Sequence, residues 1–180
     1  MKRVVTLLCS LGYLLPAFAA APSPYAGEQS RDIKALSAEE VTAIAAGKGM
    51  GLAKAAELNG YPGPSHVLEL SNELKLSDVQ KRQTEDLFAA MQRRAIELGD
   101  ALLAEERRLD RAFADKTITL ESLAARMSRI GELQAQLRVT HLEAHLQQVS
   151  ILAPEQVAAY VRLRGYGSHA AVPTTRSHHH

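Results

Sequence analysis

Aromatic residues are scarce in this chain, and tryptophan is absent. Phe, Trp and Tyr together make up 4% of the residues, whereas apolar residues as a whole make up 46%. The apolar content is therefore mostly Ala and Leu, which are strong helix formers. A length of 180 residues suits one domain and leaves no room for a second sizeable core.

Cysteine and an excess of either charge are also lacking. The single cysteine, Cys9, lies in the apolar N-terminal stretch, and removing that stretch with Lys2 and Arg3 leaves 19 basic against 20 acidic residues. The remaining chain then has no thiol for a disulfide, a redox reaction or a Cys-based zinc site. Nucleic-acid binding needs a concentrated basic face, so the composition predicts no nucleic-acid partner.

The N-terminus predicts an exported protein. Lys2 and Arg3 are followed by an apolar stretch at residues 4–15 and then by small residues, which is the order of a secretory signal peptide. The stretch is shorter than the ~20 residues of a membrane span. We therefore expect residues 1–21 to be a signal peptide, cleaved after Ala19 or Ala21. The expected location is the periplasm, with no transmembrane anchor in the mature chain.

Between the signal peptide and residue 64 the sequence predicts only short elements. Residues 22–34 are interpreted as a flexible leader, and residues 35–64 as short N-terminal helices. Ser37 and Glu40 have the spacing of a capping box, in which each residue's side chain binds the other's backbone amide. The glycine cluster at 47–51 separates this helix from the next, and we expect it only to loosen the chain.

Residues 65–166 predict a long helical hairpin in an all-α fold. Ser65 can cap a helix of about 66–74, Ser77 and Gln80 form a second capping box, and Thr119 can cap a return helix at 120–151. The two long helices share an inner seam of apolar residues spaced by three and four. The seam comprises Phe88, Met91, Ala95, Leu98, Leu102, Leu109, Phe113, Leu123, Met127, Ile130, Leu133 and Leu137. Helices joined by so few residues must lie antiparallel.

The end of the return helix carries a second apolar stripe, formed by Leu142, Leu146 and Val149. A helix that is apolar on two sides needs two neighbours. We therefore expect either the short N-terminal helices or a second copy of the chain to cover this stripe. The second possibility predicts a homodimer.

Two segments of the hairpin resemble the paired LTxxQ motifs of the Spy/CpxP family. They are Leu76-Ser77-xx-Gln80 and Leu152-Ala153-xx-Gln156, one at the start of each side of the hairpin, and the resemblance covers roughly residues 65–166. Thr is typical where this chain has Ser77 and Ala153. Because alanine has no hydroxyl, the last helix must depend on Pro154 at its favoured first position, and it ends at Gly165.

The resemblance implies a periplasmic hairpin dimer that acts as an ATP-independent chaperone or damps an envelope-stress sensor. Its partners are then unfolded client proteins or that sensor, and it is not an enzyme. The related ZraP and CnrX types bind metal ions, so a periplasmic heavy-metal sensor or resistance protein is the alternative. A structural adaptor with one dedicated envelope partner is a further hypothesis.

A candidate metal site comes from the residues themselves. His141 and His145 are four residues apart, so their imidazoles lie one helical turn apart and can share an ion. His141 also continues the inner seam, where a buried ring needs a hydrogen bond or a metal. Folding the hairpin about Thr117 brings Met91 into reach as a soft ligand, and His66 can arrive from the preceding helix. The candidate ions are Cu, Ni and Zn.

These histidines also have a second interpretation, as rings hydrogen-bonded to Gln or Glu across a helix interface. Arg93 and Arg94 lie near the same level and argue against a cation unless they point outward. Residues 167–180 are interpreted as a flexible tail, whose His178, His179 and His180 are either a metal-scavenging run or a trace of a purification tag. No phosphate loop or Ser-His-Asp context is present, so we expect no catalytic or cofactor-binding residue.

Overall fold

The computed structural model describes residues 23–166. The predicted signal peptide at 1–21 and the tail at 167–180 lie outside this range. Six α-helices and no strand occur within it, so the all-α prediction is confirmed. The helices are α1 (Ala38–Ala45), α2 (Lys54–Glu57), α3 (Pro64–Glu69), α4 (Asp78–Ala114), α5 (Leu120–Ile151) and α6 (Pro154–Leu163).

The described part of the N-terminal unit is short, since this unit ends at Ser30. It contains a 3-10 turn, Glu28–Ser30, in which the Ser30 hydroxyl donates to the carbonyl of Gly27 at 2.9 Å. The second unit begins at Arg31 and contains α1 to α6.

The structure places the last residues of the predicted leader against α4. Ile33 is 2% exposed and belongs to the hydrophobic core. On either side of it, Asp32 accepts from Arg107 Nε at 2.6 Å, and Lys34 Nζ donates to Asp110 Oδ2 at 2.7 Å. The packed part of the chain therefore begins before residue 35, because one apolar side chain between two ion pairs anchors it.

Helices α4 and α5 pack against each other as the predicted hairpin. The Ser77 hydroxyl accepts from the Gln80 amide at 3.2 Å, and Gln80 Oε1 accepts from the Ser77 amide at 3.1 Å. The Thr119 hydroxyl accepts from the Ser122 amide at 3.2 Å and begins α5. Both helices thus start where their predicted caps place them, because a cap satisfies backbone amides that have no partner inside the helix.

Helix α3 differs from the helix predicted at 66–74. It spans Pro64–Glu69, with Gly63 before it and Pro64 at its first position. Ser65 is not the cap, and its hydroxyl contacts Glu69 Oε1 at 3.4 Å instead. Proline suits this position because it has no amide hydrogen to leave unpaired.

Two apolar clusters hold the second unit together. The larger one joins α1, α4 and α5 and consists of Ile33, Ile44, Ala95, Leu98, Leu102, Leu103, Ile130, Leu133 and Leu137. The smaller one consists of Val67, Leu74, Leu152 and Tyr160. Along α5, residues 141–148 lie between the two clusters, and the buried side chains there include His141, His145 and Gln148. A buried polar layer therefore separates two apolar cores.

The predicted seam is buried in its middle and not at the hairpin turn. Phe113 and Met127 are both about half exposed, although their spacing continues the seam. The larger core ends at Leu103 on α4 and begins at Ile130 on α5. At the end of a two-helix hairpin each helix has fewer neighbours, so periodicity there does not guarantee burial.

The two LTxxQ-like segments meet through their glutamines. Gln80 Nε2 donates to Gln156 Oε1 at 2.7 Å, and Gln156 Nε2 donates to Gln80 Oε1 at 3.1 Å. Gln80 Nε2 also donates to the carbonyl of Ile151 at 3.0 Å, and Gln156 Nε2 to that of Leu74 at 3.1 Å. We call this pair the glutamine clasp. It ties the start of α4 to the end of α5 and the start of α6.

Helix α6 begins without a side-chain cap at Ala153, as the missing hydroxyl predicts. Gln156 Oε1 still accepts from the Ala153 amide at 2.8 Å, just as Gln80 Oε1 accepts from the amide of Ser77 at the start of α4. Each clasp amide therefore makes the four hydrogen bonds that a primary amide can make. The glutamine is the part of the motif that both segments share.

A buried contact continues the clasp along the hairpin. The Thr84 hydroxyl donates to the carbonyl of Gln80 at 2.8 Å and accepts from Gln148 Nε2 at 3.1 Å. Thr84 and Gln148 are fully buried. Buried polar groups are stabilised by hydrogen bonds, and this one joins the Thr84 hydroxyl to Gln148 Nε2, while Gln148 Oε1 has no partner. The contact helps to fix how α4 and α5 align.

Gly99→Ala is expected to lower the free energy of unfolding by about 1 to 3 kcal/mol. Alanine ordinarily favours a helix over glycine, but a Cβ at residue 99 would lie 2.5 Å from the carbonyl oxygen of Ile44. Helix α1 must then move away from α4. Gly131→Ala is the control, because no heavy atom lies within 4 Å of a Cβ added there, and it should stabilise. Urea unfolding measures both, and a stabilised Gly99→Ala protein would contradict the close approach of α1.

Gln80→Leu and Gln156→Leu are each expected to lower the free energy of unfolding by about 2 kcal/mol, because each leaves polar groups of the clasp unpaired. The double variant should cost clearly less than the sum, with a coupling of about 0.5 to 3 kcal/mol. Gln134→Leu is the control, since Gln134 is exposed on α5, and it should change stability little. Strict additivity in urea unfolding would mean that the two amides do not act as a pair.

Candidate functional site

One cavity collects most of the histidines and methionines of the described residues. It has a volume of about 610 Å³ and lies between the α4–α5 hairpin and the segments around α2 and α3. All three histidines of residues 23–166 line it, together with two of the three methionines in that range. These residues are Met50, His66, Met91, His141 and His145. The four residues predicted for a metal site therefore line the same cavity.

His141 is buried in this cavity with an unused nitrogen. The residue is 6% exposed, and its Nε2 is buried without a hydrogen-bond partner. Burial lowers the pKa of His141, and the nearby charge of His145 lowers it further, so the neutral ring is favoured. A Cβ added at Gly49 would lie 3.5 Å from the Nδ1 atom of this ring. A side chain at residue 49 would thus start at van der Waals distance from the imidazole.

His145 is held by the backbone in a defined orientation. It is 9% exposed, and its Nδ1 lies 2.7 Å from the carbonyl oxygen of Tyr61. A carbonyl oxygen only accepts, so Nδ1 carries the proton, and Nε2 of the neutral ring keeps a free lone pair. A histidine that binds a metal is commonly oriented by such a bond. A Cβ at Gly63 would lie 3.0 Å from Nε2, so glycine leaves room beside this nitrogen.

The other two predicted ligands, Met91 and His66, differ in burial and in hydrogen bonding. Met91 is half-buried on α4 and lines the cavity as expected. His66 lines it from α3, but its Nδ1 lies 3.0 Å from Glu69 Oε2, and its side chain is 39% exposed. The hydrogen bond with His66 lowers the pKa of Glu69, which strengthens this pair. His66 is therefore already partnered at the edge of the cavity.

The two arginines that argued against a cation lie outside the cavity. Arg93 and Arg94 are exposed, and Arg94 NH1 contacts Glu97 Oε2 on the same helix at 3.2 Å. Neither residue lines the cavity. They point outward, which is the condition under which the sequence allowed a bound cation.

A buried carboxylate beside His145 was missed by the sequence analysis. Glu57 Oε1 accepts from the hydroxyl of Tyr160 at 2.6 Å and from that of Tyr166 at 3.0 Å. Arg164 Nε lies 3.4 Å from the same oxygen, and His145 Nδ1 lies 3.7 Å from Oε2. Burial and then the bond to Glu57 raise the pKa of Tyr160, so this phenol stays protonated and donates. The Glu57 carboxylate thus links α2 and His145 to the end of the chain's last helix.

The glycine cluster at 47–51 forms a wall of the cavity, which the sequence analysis also missed. Gly47 and Gly51 have φ of +64° and +85°, and Met50 between them has φ of +42°, a region that residues other than glycine rarely adopt. The Met50 side chain is 49% exposed and lines the cavity. A methionine set among glycines was the available signal, but no periodicity pointed to it.

Imidazoles and carboxylates alone do not complete a metal site here. Within residues 23–166, no group of three or more His, Cys, Asp or Glu side chains is close enough to hold one ion. An ion between His141 and His145 would therefore need a further ligand of another kind, such as thioether sulfur. Met91 and Met50 are the thioethers that line the cavity.

A membrane span is not found among the helices of the described residues. None of these helices is both long enough and apolar enough to cross a bilayer.

Comparison with known families gives a match to the LTXXQ motif family over residues 65–164. The matched range contains the hairpin, both glutamines of the clasp and the residues His66, Met91, His141 and His145, whereas Met50 and Glu57 precede it. No curated protein and no solved structure matches the chain. The family match spans more than half of the 180 residues and confirms the resemblance carried by the two glutamine segments. The chain belongs to the LTXXQ motif family, the family of Spy/CpxP-type proteins.

Proposed function

We propose that this protein binds a transition-metal ion in its cavity, as a periplasmic metal sensor or metal-buffering member of the LTXXQ family. The observation that best supports this function is the convergence of the histidines and methionines of residues 23–166 on one cavity. The signal-peptide pattern at residues 1–21 supports the periplasmic location. Cu, Ni and Zn are the candidate ions, since imidazole and thioether ligands suit them.

The competing interpretation, hydrogen bonding to Gln or Glu across a helix interface, fits His141 poorly, because its Nε2 has no partner. His145 bonds a backbone carbonyl through Nδ1 and has Glu57 of α2 3.7 Å away, so this interpretation describes His145 better. A buried polar atom left unpaired costs about 1 to 3 kcal/mol. A bound ion would give His141 Nε2 its partner and recover the cost.

The metal proposal is tested on the full chain carrying Cys9→Ser and alanine at the four histidines that follow residue 166, which removes ligands outside the cavity. Zn(II), Ni(II), Cu(II) or Ag(I) should raise the unfolding temperature, because an ion that binds only the folded state stabilises it, by about 2.7 kcal/mol at a hundredfold excess over Kd. His141→Leu should abolish the shift. His66→Leu should reduce it less, because the His66 side chain is 39% exposed at the edge of the cavity.

The metal-free His141→Leu protein should be as stable as the parent or more stable, because leucine replaces an unpaired buried ring. If His141 instead had a hydrogen-bonding role, this variant would unfold more easily and would leave metal binding unchanged. Absence of a shift with every ion at micromolar concentration would exclude metal binding in this cavity.

A second function, as an ATP-independent chaperone or an envelope-stress binding protein, is supported by exposed apolar side chains on the hairpin. They are Phe113, Leu120, Met127, Val139 and Leu146. Such side chains among charges can hold unfolded clients, a dedicated envelope partner or a stress sensor. Exposed apolar residues are common on any protein surface, so this observation is less specific than the cavity and this function stands second.

The second apolar stripe on α5 supports a homodimer as part of the same proposal. Leu146 is 58% exposed, whereas Leu142 and Val149 are partly buried. Helices α2 and α3 pack on α5, yet Leu146 remains accessible. A second copy of the chain is the neighbour that the stripe lacks.

Leu146→Glu and Leu120→Glu form a matched pair for the second function. Both should reduce the protection of an aggregating client, measured by light scattering, because each places a charge on the exposed apolar surface. Only Leu146→Glu should convert a dimer into a monomer in sedimentation, since Leu120 lies at the hairpin turn, 87% exposed. A parent protein that is monomeric at micromolar concentration would contradict the dimer, and unchanged client protection in both variants would contradict the chaperone function.

A further inference from the structure

The cavity contains a second sulfur beside that of Met91. Met50 follows Gly49, where an added Cβ would lie 3.5 Å from His141 Nδ1. The Met50 side chain therefore starts one residue away from a position beside the imidazole. It is half exposed and lines the cavity. Methionine is long and unbranched, so its thioether can reach the ring nitrogens when the side chain turns inward.

The backbone at Met50 is unusual for a residue with a side chain. Its φ is +42°, in the left-handed region that disfavours residues with a Cβ. Lys75 and Lys116 share this feature, but each follows the end of a helical segment, where a left-handed residue closes the last turn. Met50 is instead the second residue of a turn in which the Leu52 amide donates to the Gly49 carbonyl at 2.7 Å. Both central residues, Met50 and Gly51, have a positive φ, and such positions favour Gly, Asn or Asp. The turn explains the backbone conformation, but it does not explain a methionine side chain where glycine would fit without strain.

The available ligands favour a soft ion. Glu57 Oε1 is occupied by two phenol hydroxyls, and Glu57 Oε2 lies 3.7 Å from His145 Nδ1. His66 Nδ1 is paired with Glu69, which leaves only the other nitrogen of this ring, at the exposed edge of the cavity. The remaining groups are one nitrogen on each of His141 and His145 and the two thioethers. Thioether sulfur selects soft ions such as Cu(I), whereas Zn(II) and Ni(II) favour additional nitrogen, oxygen or thiolate ligands.

The charges around the cavity favour a monovalent ion. Lys48, Lys54 and Arg164 line it with a single carboxylate, Glu57. Neutral imidazoles and thioethers add no negative charge. Coulomb repulsion grows in proportion to the charge of the ion, so these fixed cations oppose a divalent ion about twice as strongly as a monovalent one.

We propose that the cavity binds Cu(I) through His141, His145, Met91 and Met50, and that the glycine cluster brings Met50 to the ion. This inference rests on the proposed metal-binding function and adds the class of ion and one ligand. Copper binds as Cu(I) and leaves as Cu(I), so no electron is transferred.

The test uses the full chain with Cys9 and the four C-terminal histidines replaced as above. Cu(I) affinity is measured without oxygen by competition with a colorimetric Cu(I) chelator, and Zn(II) affinity is measured in parallel. Met50→Leu and Met91→Leu should each weaken Cu(I) binding at least about tenfold and leave Zn(II) binding unchanged, because only sulfur is lost. Met127→Leu is the matched control, since Met127 does not line the cavity, and it should change neither affinity.

Met50→Gly separates two effects, the loss of the sulfur ligand and the relief of backbone strain. It should stabilise the metal-free protein, because glycine tolerates a positive φ, and it should weaken Cu(I) binding as much as Met50→Leu. X-ray absorption at the copper edge should show two sulfur and two nitrogen neighbours in the parent and one sulfur fewer in both Met50 variants.

Two results would overturn the inference in different ways. Zn(II) or Ni(II) binding that His141→Leu abolishes, with Cu(I) affinity unchanged in Met50→Leu, would reject Cu(I) and Met50 while leaving the metal-binding function standing. Binding of none of these ions would reject both.

Discussion

The glutamine clasp is the interaction on which the rest of this structure depends. A hairpin is joined at one end only, so its open end needs a separate constraint to fix how α4 and α5 align. Gln80 and Gln156 supply it by binding each other and the carbonyls of Ile151 and Leu74. Because both amides are fully hydrogen-bonded, they can be buried without the cost of unpaired polar groups. The hydroxyl of the motif is dispensable at Ala153, whereas neither glutamine can be lost without leaving its partner unpaired.

The cavity follows from this constraint, because α6 is held at two points. The clasp holds its first turn, and Glu57 receives the Tyr160 hydroxyl near its end. Glu57 also lies 3.7 Å from His145, so the contact that docks α2 against α6 lies beside a candidate metal ligand. Met50 and Glu57 precede the range that matches the family. The segment before the matched range therefore supplies part of the cavity lining, so the proposed metal binding need not be general in the family.

The local features of this fold could be predicted from the sequence, and the tertiary ones could not. Caps at Ser37, Ser77 and Thr119 depend on residues three apart, and the pairing of His141 with His145 depends on one helical turn, so spacing alone reveals them. Glu57 becomes part of the site only through residues that lie about a hundred positions later in the chain. The glycine cluster was interpreted only as a flexible connection between two helices. Its position beside His141 depends on how α1 and α2 dock, which the sequence does not reveal. Ile33 was missed for the same reason, since one apolar residue has no periodicity.

Departures from good local chemistry are concentrated at the cavity. Of the five buried side-chain atoms without a hydrogen bond among the described residues, Glu57 Oε2, His141 Nε2 and Arg164 Nε belong to residues that line it. The other two belong to Arg126 and Gln148. At the cavity, Arg164 Nε and Glu57 Oε2 still have charged or polar neighbours at 3.4 Å and 3.7 Å, so His141 Nε2 is the atom there with neither a hydrogen bond nor an ion pair. Met50, a residue with a Cβ at a turn position of positive φ, lines the cavity as well. Such concentration is expected where a site is preorganised for a ligand. A bound ion would pair with the free nitrogen of His141 and would also explain a methionine at the strained position 50.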